Sequence, residues 1–224
     1  MPRGSFDRSA RRAQTRAALL GAAARVYARR GFSGATLDEV AADAGFTKGA
    51  VYDHFGSKEN LLLALWEEYL VMQVGEQMEL FDRDTTPARR PLAGGERWMA
   101  RMDEDPDPFR LFVELWVHAQ REQRLRERLA VALGALSETF ARFAAQTAED
   151  LGLDPPPRGS ERFGTLMVAL GIGLPMVRLL DRDAVPASML GAVVSILIRA
   201  AELEPLTMAM LADPGSSPEP GSSR

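Results

Sequence analysis

The chain has 224 residues and a hydrophobic content of 46%, which allows one large domain or two modest ones. It contains no cysteine, so disulfide bonds, thiolate metal sites and cysteine nucleophiles are excluded. The lack of cysteine suits a reducing compartment, and we expect a cytoplasmic protein. The formal net charge of −4, taken as an average, argues mildly against nucleic-acid binding.

The charge is unevenly distributed along the chain. Residues 1–60 carry ten basic and six acidic side chains, a net charge of +4, and the remaining 164 residues carry −8. A basic end on an acidic protein is expected when that end binds a polyanion, although a solvated basic tail has the same composition. The N-terminus lacks the apolar segment of a signal peptide, and no apolar run approaches the roughly 20 residues of a membrane span, so we expect no membrane association.

Hydrophobic residues recur at helical spacing along most of the chain, and no period-two alternation indicates a strand. The predicted fold class is therefore all-α. We expect a helix-turn-helix domain over residues 1–60, with residues 1–9 as a flexible arm, and a helical domain over residues 61–212. Residues 213–224 have too little apolar surface to fold and are predicted to be disordered. The expected helices lie at about 10–30, 37–44, 48–55, 57–81, 92–104, 108–120, 122–151, 160–181 and 187–211.

Residues 36–55, TLDEVAADAGFTKGAVYDHF, have the spacing of a helix-turn-helix. Thr36 and Glu39 form a predicted capping box at the start of the first short helix, and Gly45 ends it. Thr47 is the predicted N-cap of the second helix, in which Val51 and Phe55 lie on one face. The second helix is expected to enter the major groove of double-stranded operator DNA.

Packing of the apolar face inward leaves a set of polar side chains on the outer face of the motif. Gly49 lets the backbone approach base edges, and the helix N-termini at both threonines offer N–H groups to phosphates. The predicted DNA-binding residues are Thr36, Thr47, Lys48, Gly49, Tyr52, His54 and Lys58. Alternatives stay open for three of them: Tyr52 as a core aromatic residue, His54 as a surface histidine bonded to its own helix, and Lys48 as a solvated side chain.

The segment ATLDEVAADAGFTKGAVYDHFGSKENL resembles the TetR family of transcriptional regulators, and the resemblance covers about residues 12–66. It implies a homodimer whose C-terminal helices bind a small molecule and so change the spacing of two DNA-reading domains. It assigns the same seven positions to DNA binding. Asp53 departs from the family pattern, in which an aromatic or neutral residue is commoner.

The same resemblance implies a ligand cavity among the fourth to eighth helices. Aromatic and methionine residues there are more often core than cavity lining. The predicted lining residues are Met72, Met102, Phe109, Phe112, Trp116, Phe140 and Met167. Glu114 and His118, four residues apart, have the spacing of two metal ligands, but two ligands do not make a site, so we expect no metal and no cofactor.

The last two long helices are the predicted dimer interface, because small residues such as Gly164, Gly171, Gly173 and Gly191 lie there among aliphatic ones. An intermolecular four-helix bundle would have the two-fold symmetry of a palindromic operator. The predicted function is a repressor that an unidentified small-molecule effector releases from its operator. The alternative is a dimeric DNA-binding regulator without small-molecule control. An enzyme is not expected, because no nucleophile triad or histidine-rich site is visible.

Overall fold

A computed structural model describes residues 3–82, 86–153 and 161–203. Helices and short connections account for all of these residues, and no strand occurs among them, which confirms the all-α prediction. The helices in these ranges are α1 (Arg3–Gly34), α2 (Leu37–Ala44), α3 (Lys48–Phe55), α4 (Lys58–Asp82), α5 (Arg90–Glu104), α6 (Asp107–Ala119), α7 (Gln123–Asp150), α8 (Glu161–Leu180) and α9 (Met189–Leu203), with a 3₁₀ turn at Pro87–Arg89. The tail predicted to be disordered, 213–224, lies outside the described residues.

The first helix differs from its prediction at both ends. It begins at Arg3, so residues 3–9, expected to be a flexible arm, are helical here. Gly31, the expected end of the helix, has a φ of 67° and a ψ of 168° and interrupts the helix, which continues to Gly34. Only glycine reaches this conformation without a steric penalty, which is why the interruption falls at this residue.

The chain divides into two compact units, and their bounds differ from the expected boundary after residue 60. The N-terminal unit contains Met1–Val74 and Asp105–Leu129, and the C-terminal unit contains Gly75–Glu104 and Ala130–Arg224. Hence most of α4, all of α6 and the first turns of α7 belong with the first three helices.

Aromatic contacts explain why α6 belongs to the N-terminal unit. The rings of Phe32 and His118 pack edge to face with their centroids 4.7 Å apart, which joins the end of α1 to α6. Trp66 stacks on Phe112 at 4.4 Å, which joins α4 to α6. Such pairs add to the free energy of apolar burial.

The core of the C-terminal unit is formed by α5, α7, α8, α9 and the connection between the last two. Its buried members are Met99, Ala144, Ala148, Phe163, Met167, Val185, Leu190, Val194 and Ile198. At its edge, the guanidinium of Arg178 donates to both carboxylate oxygens of Asp103, at 2.9 and 2.7 Å, which lowers the pKa of Asp103.

Two of the glycines assigned to the dimer interface serve packing within the chain. A Cβ on Gly191 would lie 2.6 Å from Leu92 Cα, and a Cβ on Gly164 would overlap the carbonyl oxygen of Ser137. These two glycines therefore let α9 approach α5 and let α8 approach α7. Gly171 and Gly173 differ, because a Cβ on either would meet nothing within 4 Å.

One helical segment, Arg162–Leu180 in α8, is long and apolar enough to cross a membrane by length and composition alone. The expectation that no apolar run approaches that length therefore does not hold for this segment. Core helices of soluble proteins meet the same criterion, so a single such helix is weak evidence for a membrane.

Candidate DNA-binding interface

The helix-turn-helix is built on two capped helices. The Thr36 hydroxyl accepts a hydrogen bond from Glu39 N at 3.2 Å, and the Glu39 carboxylate accepts one from Thr36 N at 2.9 Å, which completes the predicted capping box. Gly45, in the left-handed conformation, ends α2. The Thr47 hydroxyl accepts from Ala50 N at 3.3 Å at the start of α3. The capping roles of both threonines follow from local sequence alone.

The inner face of the motif is the apolar one. Val40 and Ala41 of α2 and Val51 and Phe55 of α3 are buried, as the spacing predicts. α2 packs on α1, and α3 packs on α2. Burial of this face fixes which side of α3 remains outside.

The outer side carries Thr47, Lys48, Gly49 and Tyr52, all exposed, and we call these four residues the exposed α3 face. Tyr52 is 47% exposed, which excludes its alternative as a core aromatic residue. Asp53 is also exposed. Thr36 is exposed at the start of α2, so both N-caps are accessible from solvent.

Lys48 is not simply solvated. Its ammonium lies 2.9 Å from Asp38 Oδ2 in the first turn of α2, and this hydrogen bond raises the pKa of Lys48. The pair is exposed on both sides, so DNA phosphates can compete with Asp38 for the ammonium. The sequence signal for this pair, an acid ten positions before the lysine, is too weak to have predicted it.

Lys58 lies in a more enclosed position than predicted. Its ammonium is 4.4 Å from the centroid of the Phe32 ring and donates to the Ser33 carbonyl oxygen at 3.4 Å. The buried Tyr27 hydroxyl donates to the Lys58 carbonyl oxygen at 3.3 Å. Burial first, and Glu59 second, raise the pKa of Tyr27. Lys58 therefore joins the end of α1 to the start of α4.

His54 is half-buried at the end of α3 and does not belong to the exposed α3 face. Burial lowers its pKa, and the positive charges of Arg12 and Arg16 lower it further, against a smaller opposite effect of Asp53. A neutral imidazole keeps one N–H donor. Phosphate contact by His54 therefore stays a prediction that requires the ring to be reachable in the complex.

Three arginines counted in the basic N-terminal charge are paired with acids of α2. Arg25 and Arg29 bind the two carboxylate oxygens of Asp43 at 2.7 and 2.8 Å, and these bonds lower the pKa of Asp43. Arg30 lies 3.5 Å from Glu39. Sequence reasoning missed these pairs, which orient α2 on α1.

The predicted ligand-lining residues are divided between the two units. Phe109 and Phe112 are buried in the N-terminal unit, where Phe112 also contacts the half-exposed Trp116 at 6.0 Å. Met72 is half-exposed in the same unit. Of the remaining three, Met102 is buried in the C-terminal unit, while Met167 and the partly buried Phe140 contribute to its core cluster.

The Glu114 and His118 pair does not develop into a metal site in the described ranges. His118 packs against Phe32, and no three His, Cys, Asp or Glu side chains lie close enough to hold a metal ion in the parts of the chain that the structure describes.

Trp66 is a buried aromatic residue of α4 that the sequence analysis did not single out. Its side chain is 5% exposed and stacks on the ring of Phe112.

The segment that contains the helix-turn-helix matches a family model of known proteins. The family model described as "Bacterial regulatory proteins, tetR family" matches residues 19–65. Over 103 residues the chain is 32% identical to the HTH-type transcriptional activator FasR of Mycolicibacterium smegmatis, a match over 46% of this chain and 47% of that protein. The match spans less than half the length of each of the first three curated relatives.

Solved structures share the fold over most of the chain. A Rhodococcus sp. protein assigned to the TetR family aligns with a TM-score of 0.65 at 23% identity, over 85% of this chain and 99% of that one. The regulator FadR of Bacillus subtilis, solved in complex with stearoyl-CoA, aligns with a TM-score of 0.56 at 16% identity, over 82% and 97%. This protein therefore carries the helix-turn-helix of the tetR family of bacterial regulatory proteins, within the helical fold of solved proteins assigned to that family.

Proposed function

We propose that this protein is a dimeric transcriptional regulator that inserts α3 into the major groove of operator DNA. The observation that carries the proposal is the exposed α3 face, which presents Thr47, Lys48, Gly49 and Tyr52 while Val51 and Phe55 anchor the opposite side. A B-DNA major groove about 12 Å wide admits a helix of this kind. Such a protein acts in the cytoplasm, where bacterial DNA is found.

DNA binding is tested by selecting duplexes from a random pool with the purified full chain. Fluorescence anisotropy then compares a selected duplex with random competitor at fixed salt. We expect the selected duplex to bind at least about 10³-fold more tightly. Tyr52→Ala weakens binding to both duplexes, whereas Val131→Ala, at a 74% exposed site on α7, leaves it unchanged. Equal affinity for the two duplexes rules out a sequence-specific regulator.

The dimer interface is proposed on α8 and α9. Large apolar side chains on these two helices remain exposed in the single chain, namely Met176, Val177, Leu179, Leu180 and Ile196. Several large apolar side chains exposed on neighbouring turns of a helix are typical of a protein interface. Gly171 and Gly173, open on their outer side, allow a second chain to approach α8 closely.

Light scattering on the protein as it elutes from a size-exclusion column measures the molar mass in solution and so tests this interface. We expect a dimer for the wild type and a monomer for Ile196→Asp, because a carboxylate would have to be desolvated in the interface. Val131→Asp introduces the same group at an exposed aliphatic site on α7 and is expected to stay dimeric. A monomeric wild type, or a dimeric Ile196→Asp variant, contradicts the assignment.

We further propose that the dimer is a repressor released by a small-molecule effector. Two of the relatives are described as transcriptional repressors, although FasR is described as an activator. The FadR neighbour was solved with stearoyl-CoA. An effector with higher affinity for the dimer that does not match the operator shifts the population away from DNA.

The alternative is a regulator whose C-terminal unit serves only dimerisation or protein contacts. The apolar side chains of Met99, Phe163 and Met167 contribute to a buried core cluster of that unit, as this alternative requires. Measurements of operator affinity discriminate between a regulator with small-molecule control and one without it. The affinity is measured with and without stearoyl-CoA, and then with a wider panel of apolar acids and drugs. An affinity that no compound changes supports the alternative. A promoter reporter that carries the selected operator shows whether bound protein lowers or raises transcription.

A further inference from the structure

Three arginines in the first half of α1 lie on one face of the helix. Arg8, Arg12 and Arg16 follow one another at intervals of four residues, the spacing that places side chains one above another on a helix. Arg8 and Arg12 are exposed, and Arg16 is half-buried. We call these three residues the arginine stripe. Like charges at this spacing repel one another, so the stripe is unfavourable unless an anion lies against it.

The stripe differs from the second half of α1 in its partners. Arg25, Arg29 and Arg30 are paired with Asp43 and Glu39 of α2. By contrast, no acid within the described ranges pairs with a member of the stripe. Hence no ion pair in the described ranges accounts for the charge of the stripe itself.

The stripe lies beside the C-terminal turn of α3. The Arg16 guanidinium lies over the Phe55 ring, 5.1 Å from its centroid. The charges of Arg12 and Arg16 also reach His54, whose pKa they lower. The stripe and the exposed α3 face thus belong to neighbouring helices of one motif.

We infer that the arginine stripe binds the phosphodiester backbone of double-stranded DNA next to the segment that α3 enters. This inference rests on the proposed function and adds a second contact surface to it. Arg8 and Arg16 are separated by eight residues, or about 12 Å along α1. That length corresponds to three or four phosphates of one strand, which follow at about 3.4 Å along the DNA axis. Guanidinium groups suit such contacts because they bind phosphate oxygens in pairs.

The double variant Arg8→Gln/Arg12→Gln tests the inference, because it removes two exposed charges and keeps Arg16 on Phe55. The matched control is Arg124→Gln/Arg142→Gln, which removes two exposed charges from α7. The affinities of the full chain for a selected duplex and for a random duplex are measured by anisotropy over a range of salt concentrations. The slope of log K against log salt is negative, and each lost phosphate contact reduces its magnitude by about 0.9.

The proposed dimer carries two stripes, so the variant removes four arginines, and we expect the slope to lose about 3.6 units in magnitude. We expect binding to both duplexes to weaken by the same factor, while the control keeps the wild-type slope. An unchanged slope in the stripe variant overturns the inference and leaves the proposed function intact. A variant that alters base preference instead of the slope also overturns it, since the arginines would then read bases. A wild type that prefers no duplex refutes the proposed function itself.

Discussion

Lys48 Nζ and Asp38 Oδ2 lie 2.9 Å apart, so the first residue of α3 is bound to the first turn of α2. The lysine proposed to contact DNA is therefore already held in place before DNA arrives. Both side chains are more than half exposed, which limits the free energy of the pair. The carboxylate lies beside the surface at which phosphates are expected.

Removal of the Asp38 charge is expected to strengthen DNA binding. Asp38→Asn frees Lys48 and removes a negative charge near the phosphates. An exposed pair is weak, so affinity for a random duplex should rise only about two- to fivefold. Anisotropy at fixed salt measures the change. Glu67→Gln, which removes a partly exposed acid that lies 3.9 Å from Arg128, is the control and should have no effect. Weaker binding by Asp38→Asn would mean that the pair positions Lys48 for DNA.

Lys58 is expected to serve stability as well as DNA binding. Lys58→Met keeps the aliphatic stem but loses the contact with the Phe32 ring and the hydrogen bond to Ser33. An exposed cation–π contact contributes about 0.5–1 kcal/mol, so the free energy of unfolding should fall by a similar amount in urea titrations. The phosphate role predicts, in addition, a salt slope of DNA binding that is smaller in magnitude by about 1.8 units, because the proposed dimer loses one contact in each chain. Loss of stability without a change of slope would restrict Lys58 to the structural role.

His54 makes stability depend on pH. Its pKa in the folded chain lies below the ordinary value of 6.5, because burial and the charges of Arg12 and Arg16 disfavour the imidazolium. The unfolded chain therefore binds more protons in the interval between the folded pKa and 6.5, and stability falls as pH is lowered through it. Urea unfolding at fixed protein concentration should show a shallower pH dependence in His54→Gln than in the wild type. An equal dependence in both proteins would contradict this assignment.

Gly191 is expected to tolerate no side chain. A Cβ there would lie 2.6 Å from both Leu92 Cα and the Pro91 carbonyl oxygen, so Gly191→Ala must push α9 away from α5. We expect destabilisation by about 1–3 kcal/mol in thermal or urea unfolding. Gly134→Ala is the control, because a Cβ at that helical site meets nothing within 4 Å. Its expected effect has the opposite sign, about 0.5–1 kcal/mol of stabilisation.

Local features of the candidate site could be predicted from the sequence because they depend on residues three or four positions apart. The capping box of Thr36 and Glu39 and the buried pair of Val51 and Phe55 are of this kind. Each needs only helical geometry to form. The order of the helices followed from the same periodicity, and so did the exposed side of α3.

The partners of the charged and small residues could not be predicted, because they lie far apart in sequence. Asp43 binds arginines 14 and 18 positions earlier, and Lys58 lies on a ring 26 positions earlier. Gly191 contacts α5, whose residues Pro91 and Leu92 lie about 100 positions earlier.

Helical periodicity, which is a property of the chain itself, thus determined the order of the helices, which face of the helix-turn-helix is apolar and which residues cap its two short helices. Only the tertiary structure decided which of the many arginines are neutralised and which remain available to an anion. The reason is physical: an ion pair forms only where folding brings two charges within about 4 Å, and hydrophobic spacing along the chain does not encode that distance.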